Sequence, residues 1–151
     1  ATVFICAVIY KNTLFFSYIG DCIGILIRDQ CRFVFAERQT RAVSKLKVNK
    51  EQLYLHYVNN PNQKYSYGII NGDLLACTKA VHSHLALESG DRIILSTDGL
   101  ANMLLSESPQ ILASNNLISI IPSLSGAYDV PPFAEYGDDK ALIEITVNSI
   151  S

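Results

Sequence analysis

Gly90-Asp91-Arg92-Ile93-Ile94-Leu95-Ser96-Thr97-Asp98-Gly99-Leu100 carries more information than any other stretch of the chain. A Gly-Asp turn opens it, an apolar core of Ile93, Ile94 and Leu95 follows, and a carboxylate-glycine step closes it. An Asp at the end of an apolar strand is held rigidly where solvent or a cation reaches it. Rigid carboxylates of that kind bind hard divalent cations. A second such place is Gly137-Asp138-Asp139, just ahead of the apolar run Ala141 to Val147.

Working outward, the flanking sequence supplies more strands. Val3 to Tyr10 and Thr13 to Ile19 are rich in β-branched and aromatic residues and are separated by the two-residue turn Lys11-Asn12. Ile23 to Arg28 and Cys31 to Phe35 follow, joined across Asp29-Gln30. Alternation is weak in these early strands, so they read as an antiparallel meander covered on both faces. A second sheet stacked on the first explains the near-continuous apolar runs better than helices alone. Leu74 to Thr78, Lys79 to Leu87 and Arg92 to Thr97 are further strands by composition, and Ala141 to Val147 is the last. Helices are expected at Leu53 to Val58, capped by Asn49, and at Ser108 to Ala113, with Ser108 as cap and Pro109 in the first turn. Many antiparallel strands with a few helices make an α+β class.

Bulk properties narrow the field. The chain has 151 residues, 49% of them hydrophobic, and a net charge of −2, with a mean hydropathy of +0.21. That length supports one domain with a real core. The mild acidity excludes an overall basic footprint for nucleic acid or anionic lipid. The opening run Ala1 to Tyr10 has no basic leading region or small-residue cleavage site, and Lys11 ends it too soon for a membrane span. It starts in mid-strand, as part of something longer would. Cys6, Cys22, Cys31 and Cys77 are widely spaced, and the three in apolar strand-like runs read as small buried hydrophobes, with a reducing cytoplasm as the simplest setting.

Four of the eight glycines precede an Asp: Gly20-Asp21, Gly72-Asp73, Gly90-Asp91 and Gly137-Asp138. Gly72-Asp73 and Gly90-Asp91 read as turn punctuation. Asp21, Asp98 and the Asp138-Asp139 pair each lie at an end of a strongly apolar strand, so sheet edges could gather them at one rim. Converging carboxylates without histidine suit Mg²⁺ or Mn²⁺ better than zinc. His82 and His84 share a strand face but lack partners for a zinc site, and read as exposed polar positions. His56, among Tyr54, Leu55 and Tyr57, reads as packing. Ser96 and Thr97 have no general base at a recognisable spacing, so a nucleophilic triad has no support. Arg38, Arg41, Lys45, Lys47 and Lys50 form a charge run that reads first as a solvated face. Its functional alternative is a basic rim drawing in anionic substrate.

Three stretches, in order, resemble the metal-dependent protein phosphatases of type 2C. Ala1-Thr2 leading into Thr13 to Gly20-Asp21 resembles that family's strand pair ending in V-G-D-S-R. Gly90 to Leu100 is similar to its G-D-x-x-x-L-x-S-D-G-L, and Gly137-Asp138-Asp139-Lys140 to its D-N before the closing strand. Tyr67 to Gly72 sits where the family has a glycine-bearing segment. The resemblance implies an α-β-β-α sandwich of two antiparallel sheets, incomplete at the amino terminus, with residues 1–151 as a single partial phosphatase-like domain. It further implies hydrolysis of phosphoserine and phosphothreonine in protein substrates by a metal-activated water, with no nucleic-acid or membrane partner. Two Mg²⁺ or Mn²⁺ ions, with a third held more weakly, are the implied cofactors. Asp98 and Asp139 would be metal ligands, Asp21 with Asp98 would serve the third metal, and Gly99 would allow the tight turn beside them.

The chain also departs from the family pattern. The D-G-H-G-G-like segment with the metal-bridging Asp, and the phosphate-binding Arg, have no counterpart in residues 1–151. Cys22-Ile23 replaces Ser-Arg after Asp21, Asn102 stands where many members carry another Asp, and Lys140 replaces Asn. The segment between Phe35 and Gly68 is short. A non-catalytic pseudophosphatase that keeps the sheets as a protein-binding or regulatory module is the alternative.

Overall fold

A computed structural model of the chain describes residues 2–114, 116–117 and 140–148. The described strands and helices run β1 (Phe4–Tyr10), β2 (Thr13–Ile19), β3 (Ile23–Arg28), β4 (Cys31–Ala36), α1 (Lys50–Tyr57), β5 (Val81–Ala86), β6 (Arg92–Ser96), α2 (Ala101–Ser106), α3 (Pro109–Ser114) and β7 (Leu142–Thr146). They make two antiparallel sheets, β1-β2-β5 and β4-β3-β6-β7. The chain divides into two compact units. One holds the residues up to Cys22 with Ala36–Ala86, and the other Ile23–Phe35 with the described residues from Leu87 on.

In the first unit β2 is central, with Phe4 opposite Ile19 and Tyr10 opposite Thr13 on one side, and Thr13 opposite Ala86 and Tyr18 opposite Val81 on the other. Leu14, Phe16 and Tyr18 alternate onto one buried face while Phe15 lies exposed, the period of a half-buried strand. β1 is an edge strand, and Val8 and Tyr10 are 63% and 62% exposed. The expectation that every early strand is covered on both faces therefore fails at β1, and also at β2 and β4, where Phe15 and Phe33 are exposed. Composition alone cannot separate an apolar edge strand from a buried central one.

The expected meander also splits. β1 and β2 pair with each other, but Gly20-Asp21-Cys22 carries the chain into the second sheet, where β3 lies between β4 and β6. Asp29 and Gln30 both have positive φ (49° and 61°), the arrangement of a type I′ turn, whose twist suits a two-residue hairpin. β3 is buried from Ile23 to Ile27, so here both faces are covered as expected.

Helices cover one face of this second sheet. Ile23, Ile25, Ile27 and Ile94 form one core with Leu100, Met103, Leu104 and Leu112 from the α2–α3 region. Each such side chain contributes about 1.5–3 kcal/mol by leaving water. Two arginines tie the helix ends to the sheet. Arg32 of β4 donates through Nη1 to the carbonyls of Leu104 (2.9 Å) and Glu107 (2.8 Å). Arg92 of β6 donates to the carbonyls of Leu112 and Ala113 and is ion-paired with Glu144 of β7. These carbonyls are the ones a helix terminus leaves without partners of its own.

Other expectations meet mixed outcomes. Asn49 does cap α1, its side chain and that of Gln52 forming a reciprocal capping box. Ser108 Oγ accepts from Ile111 N (3.3 Å) at the start of α3. Leu74–Lys79 is a 3-10 helix, not a strand, because the Asp73 carboxylate takes Leu75 N (2.9 Å) and starts a helical turn. Helix α2 was not expected from sequence. Cys22 is buried, but Cys6, Cys31 and Cys77 are exposed. His56 lies on an exposed helix position instead of in packing, while His82 and His84 are exposed as expected.

Candidate functional site

β6 ends at Ser96, and the chain turns at once through a single 3-10 turn, Asp98–Leu100, that leads into α2. The turn is anchored on both sides. Leu100 and Ala101 are fully buried behind it, and Thr97 before it is stapled to the strand neighbouring β6. Thr97 N donates to Ala141 O (3.1 Å) and Ala141 N donates to Thr97 Oγ1 (3.0 Å). Ser96 Oγ is within hydrogen-bond range of the carbonyls of Thr97 (2.9 Å) and Ala141 (3.0 Å). Asp98 is thus a half-buried carboxylate on a backbone fixed by three elements. Gly99 lies inside the turn and is not one of the glycines with positive φ. The turn there does not require a left-handed glycine.

Asp21 belongs to the other unit and is built differently. Gly20 has φ +87°, and a Cβ there would lie 2.1 Å from Val3 Cγ1, so only glycine fits. Gln39 fastens this corner. Its backbone N donates to Gly20 O (3.0 Å). Its Oε1 accepts from Gly20 N (3.0 Å) and Gly68 N (2.8 Å), and its Nε2 donates to Lys79 O (2.7 Å). Gly68 too is packed too tightly for a Cβ, which would fall 2.4 Å from Ile19 Cγ1. Thr40 N then donates to Asp21 Oδ1 at 3.2 Å. Burial raises the Tyr67 phenol above its ordinary pKa, and the negative charge of Asp21 adds to the rise.

Buried Asn59 (φ +50°) holds the Tyr67-to-Asn71 segment. Its side-chain amide donates to Ile69 O (3.0 Å) and accepts from Ile69 N (2.9 Å). Neither Gln39 nor Asn59 carries a sequence signal beyond a polar residue near a loop. Their roles depend on backbone groups far along the chain.

Asp138 and Asp139 lie outside the described residues, so the ligand set expected from sequence is present in part. Among the described residues no three His, Cys, Asp or Glu side chains cluster as a metal site would. Asp91, which reads as turn punctuation, is a structural carboxylate. It is 1% exposed and takes both Arg28 Nε (2.8 Å) and Arg28 Nη2 (2.6 Å), with Glu88 N at 2.7 Å.

No protein-family model matches the chain, and no curated protein does. Solved structures do. A bacterial serine phosphatase superposes with a TM-score of 0.63 at 13% identity, over 97% of this chain and 57% of that one. The serine/threonine phosphatase of S. agalactiae gives 0.58 at 17% identity, over 94% and 57%. The manganese-presoaked phosphatase domain of SpoIIE from Bacillus subtilis gives 0.55 at 12% identity, over 99% and 58%.

The chain has the type 2C phosphatase fold.

At these identities the likeness is one of fold. The chain spans little more than half the length of these phosphatases. The α+β class and the two antiparallel sheets expected from sequence are those of the type 2C fold. No helix among the described residues is long and apolar enough to cross a membrane.

Proposed function

We propose that this chain is the carboxy-terminal portion of a single-domain, type 2C-like protein serine/threonine phosphatase. Its partner would be a phosphorylated protein, and its setting the cytoplasm. The observation that carries the reading is Asp98, a partly exposed carboxylate on a doubly anchored turn at the end of a central strand, in a chain of type 2C phosphatase fold. The motif likeness around Asp98 and the fold likeness point the same way.

Oxygen donors of this kind fit Mg²⁺ or Mn²⁺. Asp98, Asp139 and, for a third ion, Asp21 would hold them. The described residues alone supply an incomplete ligand set. When bound, such cations supply a more acidic water and offset charge on phosphoryl oxygens. The chain's own contribution is positional. The Thr97–Ala141 staple fixes the backbone that carries Asp98, and chain connectivity keeps Asp139 two residues from Ala141. The Gln39 clamp fixes the backbone that carries Asp21.

A Mn²⁺ titration of phosphopeptide hydrolysis by the full-length protein, wild type against Asp98→Asn, tests the proposal. Activity that depends on Mn²⁺ and collapses in the variant supports it. Equal activity in both sinks it. A full-length protein that is inactive and binds neither cation at millimolar concentration would instead be a pseudophosphatase, retaining the sheets as a binding module.

A further inference from the structure

Helix α1 buries none of its residues, whereas α2 buries Ala101, Met103 and Leu104. A short helix draws most of its stability from packing an apolar face, and α1 stands instead on its capping box. Leu53 and Tyr57 are half-buried, but Tyr54 and Leu55 are 53% and 67% exposed. Lys50 and Tyr54 lie about one turn apart, as do Glu51 and Leu55, so the four share one side of the helix. They line a concavity of about 510 Å³. An exposed aromatic and aliphatic pair at a concavity is a place for an apolar side chain of a partner to rest.

Charge narrows the kind of partner. The net charge of the chain is −2, yet Ala36 to Val58 holds five basic side chains against two acids. One of those acids, Glu37, is ion-paired with Arg41. Lys45, Lys47 and Lys50 are exposed and belong to none of the ion pairs among the described residues, and they outnumber the other acid, Glu51. The local field at the start of α1 therefore favours carboxylates beside the apolar contact. Two exposed side chains are too few for a dimer interface, which takes about 800 Å² from each partner. They are also too narrow a stripe for a helix lying in a membrane, which needs a broad apolar face. A short acidic peptide with one apolar anchor fits both the area and the charge.

We propose that α1 docks an acidic segment of a partner protein, with an apolar side chain seated on Tyr54 and Leu55 and carboxylates meeting Lys45, Lys47 and Lys50. The site lies wholly within the first unit, and it goes beyond the phosphatase reading without resting on it. The basic run is then a solvated face that becomes a contact when the peptide arrives.

The test uses the full-length protein and a fluorescein-labelled nonapeptide of glutamates around a central leucine, with binding read by anisotropy in EDTA. Saturable binding is expected. It should weaken by about tenfold when Tyr54→Ser is combined with Leu55→Ser, and by a similar factor when Lys47→Glu is combined with Lys50→Glu. Added salt should weaken it too. Lys11→Glu, a charge change on the β1–β2 turn, should leave the affinity as it was. All these positions are exposed, so the variants keep the fold. No saturable binding at millimolar peptide overturns the proposal, as does equal binding of a peptide with glycine in place of the leucine, or an affinity indifferent to both paired variants. Binding to phosphatidylserine vesicles that the peptide does not compete, or self-association lost in the Tyr54 and Leu55 variant, would assign the surface to lipid or to a second copy and overturn it as well. Mn²⁺-dependent activity that needs Asp98, without peptide binding, would sink this proposal alone. Peptide binding in a protein whose activity is indifferent to Asp98→Asn would sink the phosphatase reading alone.

Discussion

The two ends of β6 carry an Asp each, and they do opposite work. Asp91, at the entry, is buried and has its carboxylate shared among Arg28 Nε, Arg28 Nη2 and Glu88 N. The backbone around it is tied down as well, with Val147 N donating to Asp91 O (2.8 Å) and Gly90 N to Val147 O (2.7 Å). Asp98, at the exit, is half-buried on a turn whose fastenings are made by its neighbours Thr97, Leu100 and Ala101. One carboxylate closes a hairpin-like corner of the sheet; the other is presented by its corner. Similar local sequences, an Asp beside a Gly at a strand end, are thus separated by which groups come to meet them.

Replacing Asp91 gives the largest expected effect on stability. Asp91→Asn leaves the Arg28 guanidinium facing a neutral amide that cannot accept both of its bonds. Breaking a buried pair from one side costs about 3–5 kcal/mol, and Glu88 and the part-exposure of Arg28 place this case at the lower end. Thermal or urea unfolding measures it. The same pair sets a pH dependence. Burial acts to raise the Asp91 pKa, but the Arg28 hydrogen bonds, Glu88 N and the Arg28 charge together hold it below the usual carboxylate value. The folded-state value is therefore the lower one, so the pair's stabilisation is complete above the unfolded carboxylate pKa, roughly 3.9. It is lost as pH falls through the folded value. The stability gap between wild type and Asp91→Asn should hold from neutral pH to about pH 5 and narrow below about pH 4. A gap that stays constant down to pH 2 would break the contrast between the two ends of the strand.

Asp98→Asn should behave in the reverse manner. Its side chain is part-exposed, so the midpoint of unfolding is expected to stay close to wild type. Mn²⁺-dependent phosphatase activity of the full-length protein should fall by at least about 100-fold, or about 2.7 kcal/mol of barrier. Asp91→Asn, measured well below its melting temperature, should retain most of its activity. If both variants lose activity and stability in proportion, the two ends of β6 are not functionally distinct.

The contrast also shows where sequence reading succeeds. β2 matches its expected bounds at Thr13 and Ile19 because two-residue turns and β-branched runs are local signals. The caps at Asn49 and Ser108 are legible for the same reason. Asp98 stands out because an apolar strand followed by Asp-Gly is also a local pattern. Gly90-Asp91 does punctuate a turn, with Gly90 at φ +92° and Asp91 N donating to Glu88 O (3.1 Å); the further role of the Asp91 carboxylate was not legible because its partner Arg28 is 63 residues away and no spacing rule connects them. The role of Gln39 was hidden likewise: what matters is the backbone that reaches it from Gly20, Gly68 and Lys79. Helix α2 was missed because Ala101 to Ser106 is short and follows directly on a strand and turn.

Thr97→Val gives the smallest effect and the finest test of the corner that presents Asp98. Valine keeps the β-branched shape and its χ1 preference but removes the oxygen that accepts Ala141 N. The reciprocal bond from Thr97 N to Ala141 O survives, as does the Ser96 Oγ contact with the same carbonyl. Ala141 is exposed, so water replaces the lost acceptor and the stability cost should be no more than about 1 kcal/mol. Hydrogen exchange at the Ala141 amide should quicken while Ile93 and Ile94, at the centre of β6, keep their protection. Asp139 lies two residues before Ala141 in the chain, so a looser start to β7 should also weaken Mn²⁺ binding, by up to about 10-fold if Thr97 orients a ligand-bearing backbone. Quicker exchange with unchanged Mn²⁺ affinity would confine the Thr97 staple to holding the sheet edge. Weaker Mn²⁺ binding without a comparable loss of stability would tie that edge to the metal site.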